Sequence, residues 1–376
     1  MQAVPVESTQ WYYTPAEKAC KRGALGAARR RLYGGKEAGE VGIRAQEILD
    51  MLRESEEPVS GEGIAARLRI SRAAVWKSID RLRREGYAIE GIPRRGYRLA
   101  AEPERLTAGA IRARLDVRRI GAAIEWYDEV GSTNDLAWER LEGGAPFGTV
   151  VGAERQTRGR GRRGRRWVSP RGRGLWFSIL TAPPGDPTDA PLLTLWAAVA
   201  VAEGITRTTG LDAKIKWPND ILVSGRKVCG ILAETRAELG RVTAAVVGIG
   251  VNVSLAEREF PREARATAAS LCALAGRSIG RLELLVSVLQ ALDRWYARWE
   301  SEGGAAVLER ARSACLTLGR PVRVHEPAGD WDGEAVDLAP DGALLVRTPG
   351  GVRPVYASEV SVRHADAQPA SRGPLP

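Results

Sequence analysis

One internal segment, residues 154–167, constrains the fold more than any other part of this chain. It holds seven arginines and three glycines. Short β-favouring runs lie on either side, Thr149–Glu154 and Leu175–Thr181, so the segment is predicted to be a loop tied to a sheet at both ends. Arginine forks bind phosphate or carboxylate, and glycine lets a backbone approach a ligand closely. We interpret the segment as a phosphate-holding ligand loop.

Two other interpretations of the ligand loop are open. A charge run is often only a solvated face, and Arg/Gly runs also occur in disordered RNA-binding tails. Such tails repeat through low-complexity sequence, whereas this run occurs once and the chain has no visible internal repeats. Loops held by a scaffold commonly carry function, which favours the ligand-binding interpretation.

The composition indicates a soluble protein with more than one domain. A chain of 376 residues allows roughly two or three domains. Apolar residues make up 44% and charged residues 27%, and no uninterrupted apolar run is long enough to span a membrane. The N-terminus lacks the basic-then-apolar layout of a secretory signal, so we expect a cytoplasmic location. The net charge of +10 favours anionic partners.

Cysteine and histidine usage excludes several kinds of site. The cysteines are far apart and form no CxxC pair, so neither a zinc site nor a disulfide framework is predicted: Cys20, Cys229, Cys272 and Cys315. The two histidines, His325 and His364, lie near the C-terminal end. Acid–base catalysis by histidine in the middle of the chain is therefore excluded, and no metal-ligating residues are predicted.

Residues 1–40 are predicted to be a poorly ordered basic extension, and residues 41–102 a winged helix-turn-helix domain. Ser60 and Ser71 are positioned to cap its second and third helices. The third helix is predicted over Arg72–Glu85. Its buried stripe comprises Val75, Ile79 and Leu82.

The third helix and the hairpin that follows it form the predicted DNA-binding surface. Two short β segments, 87–90 and 97–99, make the wing. From Arg67 to Leu99 there are ten Lys/Arg and three Asp/Glu, a balance suited to a phosphate backbone. The predicted DNA contacts are Ser71, Arg72, Ala73, Trp76, Lys77, Arg94 and Arg95. The alternative is a winged helix that contacts protein and never DNA.

A linker is predicted at Ala100–Glu104, before a mixed α/β domain over residues 103–316. In this domain a loop ending in Ser132, Thr133 and Asn134 begins a helix. These three residues could serve only as an N-cap. Their spare hydroxyl and amide groups, at a helix N-terminus, also suit a polar or anionic ligand.

Lys216 stands where a predicted strand meets a turn. In an extended segment its side chain points away from the face of Ile215, and Pro218 stops the strand. A strand end is a common place for a catalytic group, although an isolated lysine there is often surface decoration. In the next long strand Gly248 and Gly250 mark a position where a ligand or another backbone can approach.

The C-terminal part of the chain changes from helix to strand. Amphipathic helices are predicted over 281–300 and 305–315. Residues 317–364 then contain five short β segments with turn sequences between them, which predicts a small barrel. Residues 365–376 are predicted to be a disordered tail. The fold class expected from this order is α+β, with several domains.

The order of these motifs resembles the bifunctional biotin–protein ligases that also repress the biotin operon. The resemblance covers roughly residues 43–364, and the extension and the tail lie outside it. The helix and wing motifs are Ser71–Val75 and Arg95–Tyr97. The others follow in the family's order: Gly131–Asn134, Gly159–Arg165 with Trp167, Lys216–Asp220, Lys227–Glu234 and Gly248–Asn252.

The resemblance implies a winged helix-turn-helix, a central class II synthetase-like catalytic domain and a C-terminal SH3-like barrel. It implies a ligase that joins biotin to ATP as biotinyl-5′-adenylate and transfers biotin to a lysine of the carboxyl carrier domain of acetyl-CoA carboxylase. Mg²⁺ is the expected ion. Operator DNA of biotin genes is the other implied partner, bound by a homodimer that forms with the adenylate.

The site residues carry over position by position. Those implied in catalysis are Lys216, Arg160 and Arg162. Those implied in biotin binding are Ser132, Thr133, Asn134, Gln156, Arg160, Gly161, Arg162 and Lys216. Those implied in ATP and adenylate binding are Arg162, Arg163, Arg165, Trp167, Lys216, Asn219, Asn252 and Arg363.

The implied chemistry suits these residues. An ionised biotin carboxylate attacks the α-phosphorus without a general base, so the main requirement is charge stabilisation. The transfer step requires a neutral amine, for which Asp220 is the candidate base. Two other functions stay open at this point, a non-catalytic ligand-sensing repressor and a lipoate-type acyl ligase of the same fold.

Overall fold

The computed structural model describes residues 36–364, apart from 56, 85–86, 102–103, 185–188, 239–240, 327–328 and 357–360. The predictions for residues 1–35 and for the tail after residue 364 lie outside the described residues. The chain divides into two compact units. The first contains the residues up to Leu82 together with Ile89–Leu99, and the second contains Arg83–Ala88 and the chain from Ala100 onward.

The first unit is a winged helix-turn-helix. Its elements are α1 (Lys36–Arg53), α2 (Gly61–Leu68), α3 (Arg72–Arg84), β1 (Ala88–Ile92) and β2 (Gly96–Ala101). The helix α1 therefore begins before residue 41, where the domain was predicted to start. The buried side chains follow the helical spacing read from the sequence: Ala45, Ile48, Leu49, Leu52, Ile64, Val75, Ile79 and Leu82.

Serine caps fix where α2 and α3 begin, as predicted. The hydroxyl oxygens of Ser60 and Ser71 each accept the amide hydrogen three residues further on, at 2.9 and 3.2 Å. At the wing, Gly96 has φ +112°, and a Cβ there would fall 2.1 Å from the carbonyl oxygen of Val59. Glycine is required at this position because the wing strand crosses the backbone before α2 so closely.

The second unit is built on a seven-stranded sheet. The strands are β3 (Ile124–Tyr127), β4 (Val150–Ala153), β5 (Gly174–Thr181), β6 (Ala213–Lys216), β7 (Asp220–Val223), β8 (Arg226–Glu238) and β9 (Arg241–Asn252). Their order is β3-β4-β5-β9-β8-β7-β6. The strands β3 and β4 are parallel, and every other neighbouring pair is antiparallel.

The helices of the second unit are α4 (Ala108–Arg112), α5 (Thr133–Glu142), α6 (Leu192–Thr209), α7 (Leu271–Ala275), α8 (Arg281–Glu302) and α9 (Gly304–Ala314). The apolar helix α6 lies in the core against α8. Trp196 is fully buried there and donates to the carbonyl of Leu292 at 3.1 Å. None of the described helices is long and apolar enough to cross a membrane.

The predicted linker Ala100–Glu104 begins where the division between the two units falls, but both of its ends belong to structured elements. Ala100 and Ala101 are the last residues of β2. The carboxylate of Glu104 accepts the amide hydrogens of Arg281 and Leu282, at 2.6 and 3.2 Å, and so caps the start of α8. A short segment with acidic residues and a proline is typical of a linker. The Glu104 carboxylate is nevertheless attracted to the unpaired amide donors at the N-terminus of α8.

The small barrel predicted over residues 317–364 is a five-stranded antiparallel sheet among the described residues. Its strands are β10 (Arg320–Glu326), β11 (Gly329–Leu338), β12 (Leu344–Thr348), β13 (Gly351–Val355) and β14 (Ser361–His364), in the order β13-β12-β11-β10-β14. Trp217 ties β6 to it, since its indole donates to the Gly342 carbonyl and its amide to the Thr317 hydroxyl, both at 3.1 Å. The expected α+β multidomain class is confirmed.

Candidate functional site

The two faces of the seven-stranded sheet differ in chemistry. Strand pairing sets Lys216 opposite Asp220, Asp220 opposite Gly230, and Gly230 opposite Gly250. Paired residues share a face, so Lys216 lies in one row with Gly250, roughly 14 Å away across three strand spacings. Ile215 points to the apolar core on the other face, as the alternation predicted. The face of Lys216 is the candidate site.

The start of α5 is held by a hydrogen-bond network and not by its own cap. Ser132 occupies the N-cap position but makes no side-chain cap hydrogen bond. The amide and hydroxyl of Thr133 donate instead to the side-chain oxygen of Gln156, at 2.8 and 3.0 Å. Gln156 donates in turn to Ser169 at 2.9 Å, and the hydroxyl oxygens of Ser178 and Thr133 lie 2.7 Å apart. The simple N-cap interpretation of this segment is therefore wrong.

The amide of Asn134 is fixed from both ends. Its oxygen accepts the hydroxyl hydrogen of Ser178 at 2.6 Å, and its nitrogen donates to Glu234 at 2.9 Å. The amide lies against Gly248, where a Cβ would fall 2.2 Å from its oxygen. This glycine was expected to admit a ligand or another backbone. The group that approaches it is the side chain of Asn134.

The ligand loop is a tight hairpin. The amide of Trp167 donates to the Gly159 carbonyl at 2.9 Å, and that of Gly161 donates to the Arg165 carbonyl at 2.7 Å. A 3₁₀ turn over Arg162–Gly164 joins the two sides. Backbone pairing thus gives a defined direction to the arginine side chains.

Arg162 reaches from the hairpin to the turn that follows β6. Its guanidinium donates to the side-chain oxygen of Asn219 at 3.0 Å, and the amide nitrogen of Asn219 donates to the Ile231 carbonyl at 2.8 Å. Burial lowers the pKa of Arg162, as does the neighbouring charge of Arg163, while Asp220 opposes this shift. The guanidinium stays protonated at neutral pH and is the more deeply buried cation of the loop.

Arg160 holds the other side of the hairpin to α5 and β8. Its guanidinium pairs with Asp135 at 2.7 Å and with Glu234 at 3.3 Å. Burial disfavours its charge, but the hydrogen bond and charge of Asp135 and the charge of Glu234 raise the pKa of Arg160 above its ordinary value. Two arginines of the ligand loop therefore contact two separate parts of the site. Arg160 contacts α5 and β8, and Arg162 contacts the turn after β6.

Trp167 covers the middle of the candidate face. Its indole lies over the paired glycines Gly230 and Gly250, where added Cβ atoms would fall 2.9 and 2.4 Å from the ring. Trp176 meets it edge to face with 6.5 Å between ring centroids. The ammonium of Lys227 lies 5.3 Å from the ring centroid. The second glycine of the predicted approach site thus accommodates an aromatic side chain.

Asp220, the candidate base, is ion-paired with Lys227 at 2.5 Å, and both side chains are largely buried. Lys216 is half-buried in the same row. The barrel contacts of Trp217 hold the strand end that carries it. The row that begins at Lys216 therefore places one cation beside one carboxylate, with Lys227 paired to that carboxylate from the side.

The remaining residues predicted to bind ATP or the adenylate differ in their exposure to solvent. Arg163 and Arg165 are exposed at the hairpin tip, and Arg163 adopts φ +58°. Asn252 is buried at the end of β9, on the face of the site. Arg363 lies on β14 opposite Arg323, but its side chain lies outside the described residues.

Three residues of the network were not predicted to take part: Ser178, Glu234 and Lys227. Ser178 carried a usable signal, because it is the one polar residue within the otherwise apolar run Leu175–Leu180. Lys227 and Glu234 are the ends of the family motif Lys227–Glu234, but no role was assigned to them, since charged residues at the ends of a strand are common on solvated edges.

In the first unit, α3 presents the predicted DNA-reading face to solvent. Arg72, Ala73 and Lys77 are exposed, and Trp76 is 57% exposed. At the wing tip Arg94 has φ +63°, and Arg95 pairs with Glu57 at 2.5 Å. The Ser71 hydroxyl caps α3. Two cations, an indole and one wing arginine thus form the exposed surface.

Models of three known families match this chain in order. That of the HTH domain matches residues 44–98, that of the Biotin/lipoate A/B protein ligase family matches residues 127–252, and that of the Biotin protein ligase C terminal domain matches residues 317–363. Together they span the winged helix, the seven-stranded sheet and the barrel.

Whole-length relatives agree with these matches. The Bifunctional ligase/repressor BirA of Bacillus subtilis is 38% identical over 81% of this chain and 94% of its own length. The protein of the same name from Escherichia coli is 31% identical over 82% of this chain and 94% of its own length. The structure of the biotin protein ligase from Aquifex aeolicus in complex with biotin and ATP covers 65% of this chain and 100% of its own, at 31% identity and TM-score 0.56.

Proposed function

Because the chain belongs to the family of bifunctional biotin ligase/repressors, we propose that it is an ATP-dependent biotin–protein ligase that also represses transcription by binding DNA. One observation carries the enzymatic part. Lys216, the Ser132–Asn134 segment and the arginines of the ligand loop converge on one face of the sheet from three distant parts of the chain. A sensor without catalysis does not need two sets of phosphate-directed cations.

In the proposed reaction, biotin binds beside the start of α5. The Ser132 hydroxyl, which is not used in capping, and the oriented amides of Asn134 and Gln156 supply donors and acceptors for a polar ring system. Gly161 and Arg160 close over the ligand from the hairpin. The carboxylate end of biotin then extends along the row toward Lys216.

Adenylate formation follows from this placement. A carboxylate oxygen of biotin attacks the α-phosphorus of ATP, and pyrophosphate leaves with the electrons of the broken bond. Lys216 and Arg162 stabilise the added negative charge on the phosphoryl oxygens, with Arg163 and Arg165 near the leaving group. Trp167 lies against the adenine, Asn219 and Asn252 border the nucleotide, and Arg363 reaches it from the barrel.

Mg²⁺ is proposed to enter with the triphosphate. Among the described residues, no group of three or more His, Cys, Asp or Glu side chains could hold a metal ion. This fits an ion bound mainly by phosphate oxygens and water, as is usual for Mg²⁺. Asp220, which lies in the row of the site, would supply a further oxygen ligand.

In the second proposed step, a lysine amine of the carboxyl carrier domain of acetyl-CoA carboxylase attacks the acyl carbon of the adenylate, and AMP leaves. The amine must be neutral to attack. Asp220 is the nearest carboxylate in the row, and as the base it takes the proton of the amine and becomes a neutral carboxylic acid beside Lys227.

The repressor function is proposed to depend on the ligand. Two copies of α3, brought together in a homodimer of adenylate-bound protein, would read the two halves of an operator of biotin genes. A monomer would reach one half-site only. The absence of any described membrane-spanning helix agrees with a cytoplasmic location, which we propose as the site of action.

Pyrophosphate release on adding biotin, lipoate or octanoate in turn tests the enzymatic proposal. We expect turnover with biotin and ATP, at least a hundredfold above the other two acids, because a buried network built for one polar ring leaves groups unpaired with another acid. Turnover with lipoate alone would make the chain a lipoate-type ligase. No turnover with any acid, together with biotin-dependent DNA binding, would make it a sensor.

A further inference from the structure

One carboxylate joins the candidate biotin pocket to the ligand loop. Glu234 lies on β8, paired with Val246, and points to the face that carries Gly248. It accepts a hydrogen bond from Asn134 at 2.9 Å and from the indole of Trp138 at 3.4 Å. Its other oxygen pairs with Arg160 at 3.3 Å.

The first of these contacts fixes which way the Asn134 amide faces. Ser178 donates to the amide oxygen, so the nitrogen must point the other way, toward Glu234. Gly248 leaves no room behind the amide, which therefore has one orientation. Without an acceptor at Glu234, one amide hydrogen would lose its partner. Only the hydrogen bond from Ser178 would then orient the amide.

The second contact holds the loop. Arg160 divides its guanidinium between Asp135, on the first turn of α5, and Glu234 on β8. These side chains are about one-third exposed, 37% for Arg160, 40% for Asp135 and 31% for Glu234. Ion pairs at such exposure are individually weak. Two carboxylates on different elements nevertheless define one position for the hairpin.

We propose that Glu234 is a positioning residue of the ligation reaction, which sets the Asn134 amide for biotin and latches Arg160 so that the ligand loop stays closed over the adenylate. Asp135 makes the second ion pair of Arg160, and the two ion pairs together are called the latch. This inference rests on the proposed function. It assigns a role to two residues that do not themselves touch the reacting atoms.

The main test is Glu234→Gln, which keeps the size of the side chain but leaves one neutral acceptor oxygen for two donors, Asn134 and Arg160. We expect the dissociation constant for biotin to rise and the adenylate to dissociate about three- to tenfold faster. The rate of adenylate formation at saturating biotin and ATP should change less than twofold. The difference in dissociation rate from wild type should shrink in high salt, because the lost interaction is a screened ion pair.

Two further variants separate the latch from general damage. Asp135→Asn removes a loop contact but none of the bonds of Asn134, so it should speed adenylate dissociation and leave the biotin dissociation constant within twofold. Glu142→Gln is the matched control, because Glu142 pairs with Arg236 at 2.7 Å and also links α5 to β8, away from the loop. It should leave both quantities unchanged.

A double-mutant cycle of Glu234→Gln with Arg160→Gln gives the deciding measurement. Coupled residues should show non-additive effects on adenylate dissociation. Additive effects, or a Glu234→Gln variant that behaves like Glu142→Gln, would overturn the proposal. If Glu234→Gln does not fold, Glu234→Asp combined with Arg160→Gln provides the cycle, because aspartate keeps the charge but shortens its reach to Arg160. Biotin-dependent pyrophosphate release by the wild-type protein reports on the proposed function separately.

Discussion

The indole of Trp167 rests on the backbone of Gly250, and a Cβ at that glycine would fall 2.4 Å from the ring nitrogen. Two residues away along β9, Gly248 has the same relation to Asn134. The two glycines of the Gly-Ile-Gly sequence therefore accommodate different side chains, one on the proposed adenine side and one on the proposed biotin side.

This relation predicts opposite defects in two matched variants. Gly250→Ala should displace Trp167 and raise the dissociation constant for ATP roughly ten- to hundredfold, with that for biotin within threefold, because overpacking costs about 1–3 kcal/mol. Gly248→Ala should displace Asn134 and weaken biotin more than ATP. Titration calorimetry with each substrate measures the split. Equal losses of both ligands in both variants would contradict the division of the face.

Lys216→Ala should lower the rate of biotin-dependent pyrophosphate release about a hundred- to a thousandfold, because one group that stabilises charge in the transition state is lost. Unfolding temperature should stay within a few degrees of wild type. Lys214→Ala is the control, since Lys214 lies on the same strand and pairs at 3.0 Å with Asp212. Activity that survives the first substitution, or is lost equally in the control, would refute the role of Lys216.

Outside the site, we expect the largest loss of stability from substitution of Asp293. Its buried carboxylate accepts three consecutive backbone amides, those of Arg118, Arg119 and Ile120, at 2.8–2.9 Å. Asp293→Ala should lower the free energy of unfolding by about 3 kcal/mol, since these buried donors lose a charged acceptor. Glu302→Ala, which removes an exposed pair with Arg298, should change it by less than about 0.5 kcal/mol. Urea titration compares them.

Glu203 is expected to contribute to the free energy of unfolding in a pH-dependent way. Burial opposes its ionisation, but hydrogen bonds from Trp295 and Arg294 outweigh this and lower the pKa of Glu203. A carboxyl with a lowered folded pKa stabilises the protein fully above its unfolded pKa, and that stabilisation is lost as the pH falls through the folded value. Wild type should therefore exceed Glu203→Gln by about 2 kcal/mol at pH 7. The difference should begin to fall as the pH drops through the ordinary carboxyl range, about pH 4, and should be gone once the pH is below the folded pKa. A constant difference at all pH values would exclude the ionised carboxylate as its cause.

The exposed cations of α3 predict a salt-dependent DNA affinity. Arg72→Ala and Lys77→Ala should each weaken binding to the protein's own upstream DNA, and each should reduce the slope of log affinity against log salt by about one. Arg320→Ala, at an exposed position of the barrel, should change neither. Unaltered slopes in both α3 variants would favour a winged helix that contacts protein.

The sequence by itself determined the features that depend on local spacing. Serine caps, the apolar stripe of α3 and the alternation of Ile215 and Lys216 are set by residues within one or two turns of one another, so their physical causes can be read directly from the chain. The order of motifs also indicated the three domains. Ser132 shows the limit of local reasoning, because a capping residue was present but its cap was not made.

Only the tertiary structure decided which polar groups meet. Asn134 and Glu234 are 100 residues apart, and Glu104 caps a helix that begins 177 residues later. Such contacts follow from strand register, since a shift of one residue would turn Gly248 and Glu234 to the other face of the sheet. The register of the strands is fixed by the burial of the whole core. That burial depends on residues far apart in the chain, so no local pattern of charge or hydropathy predicts the register.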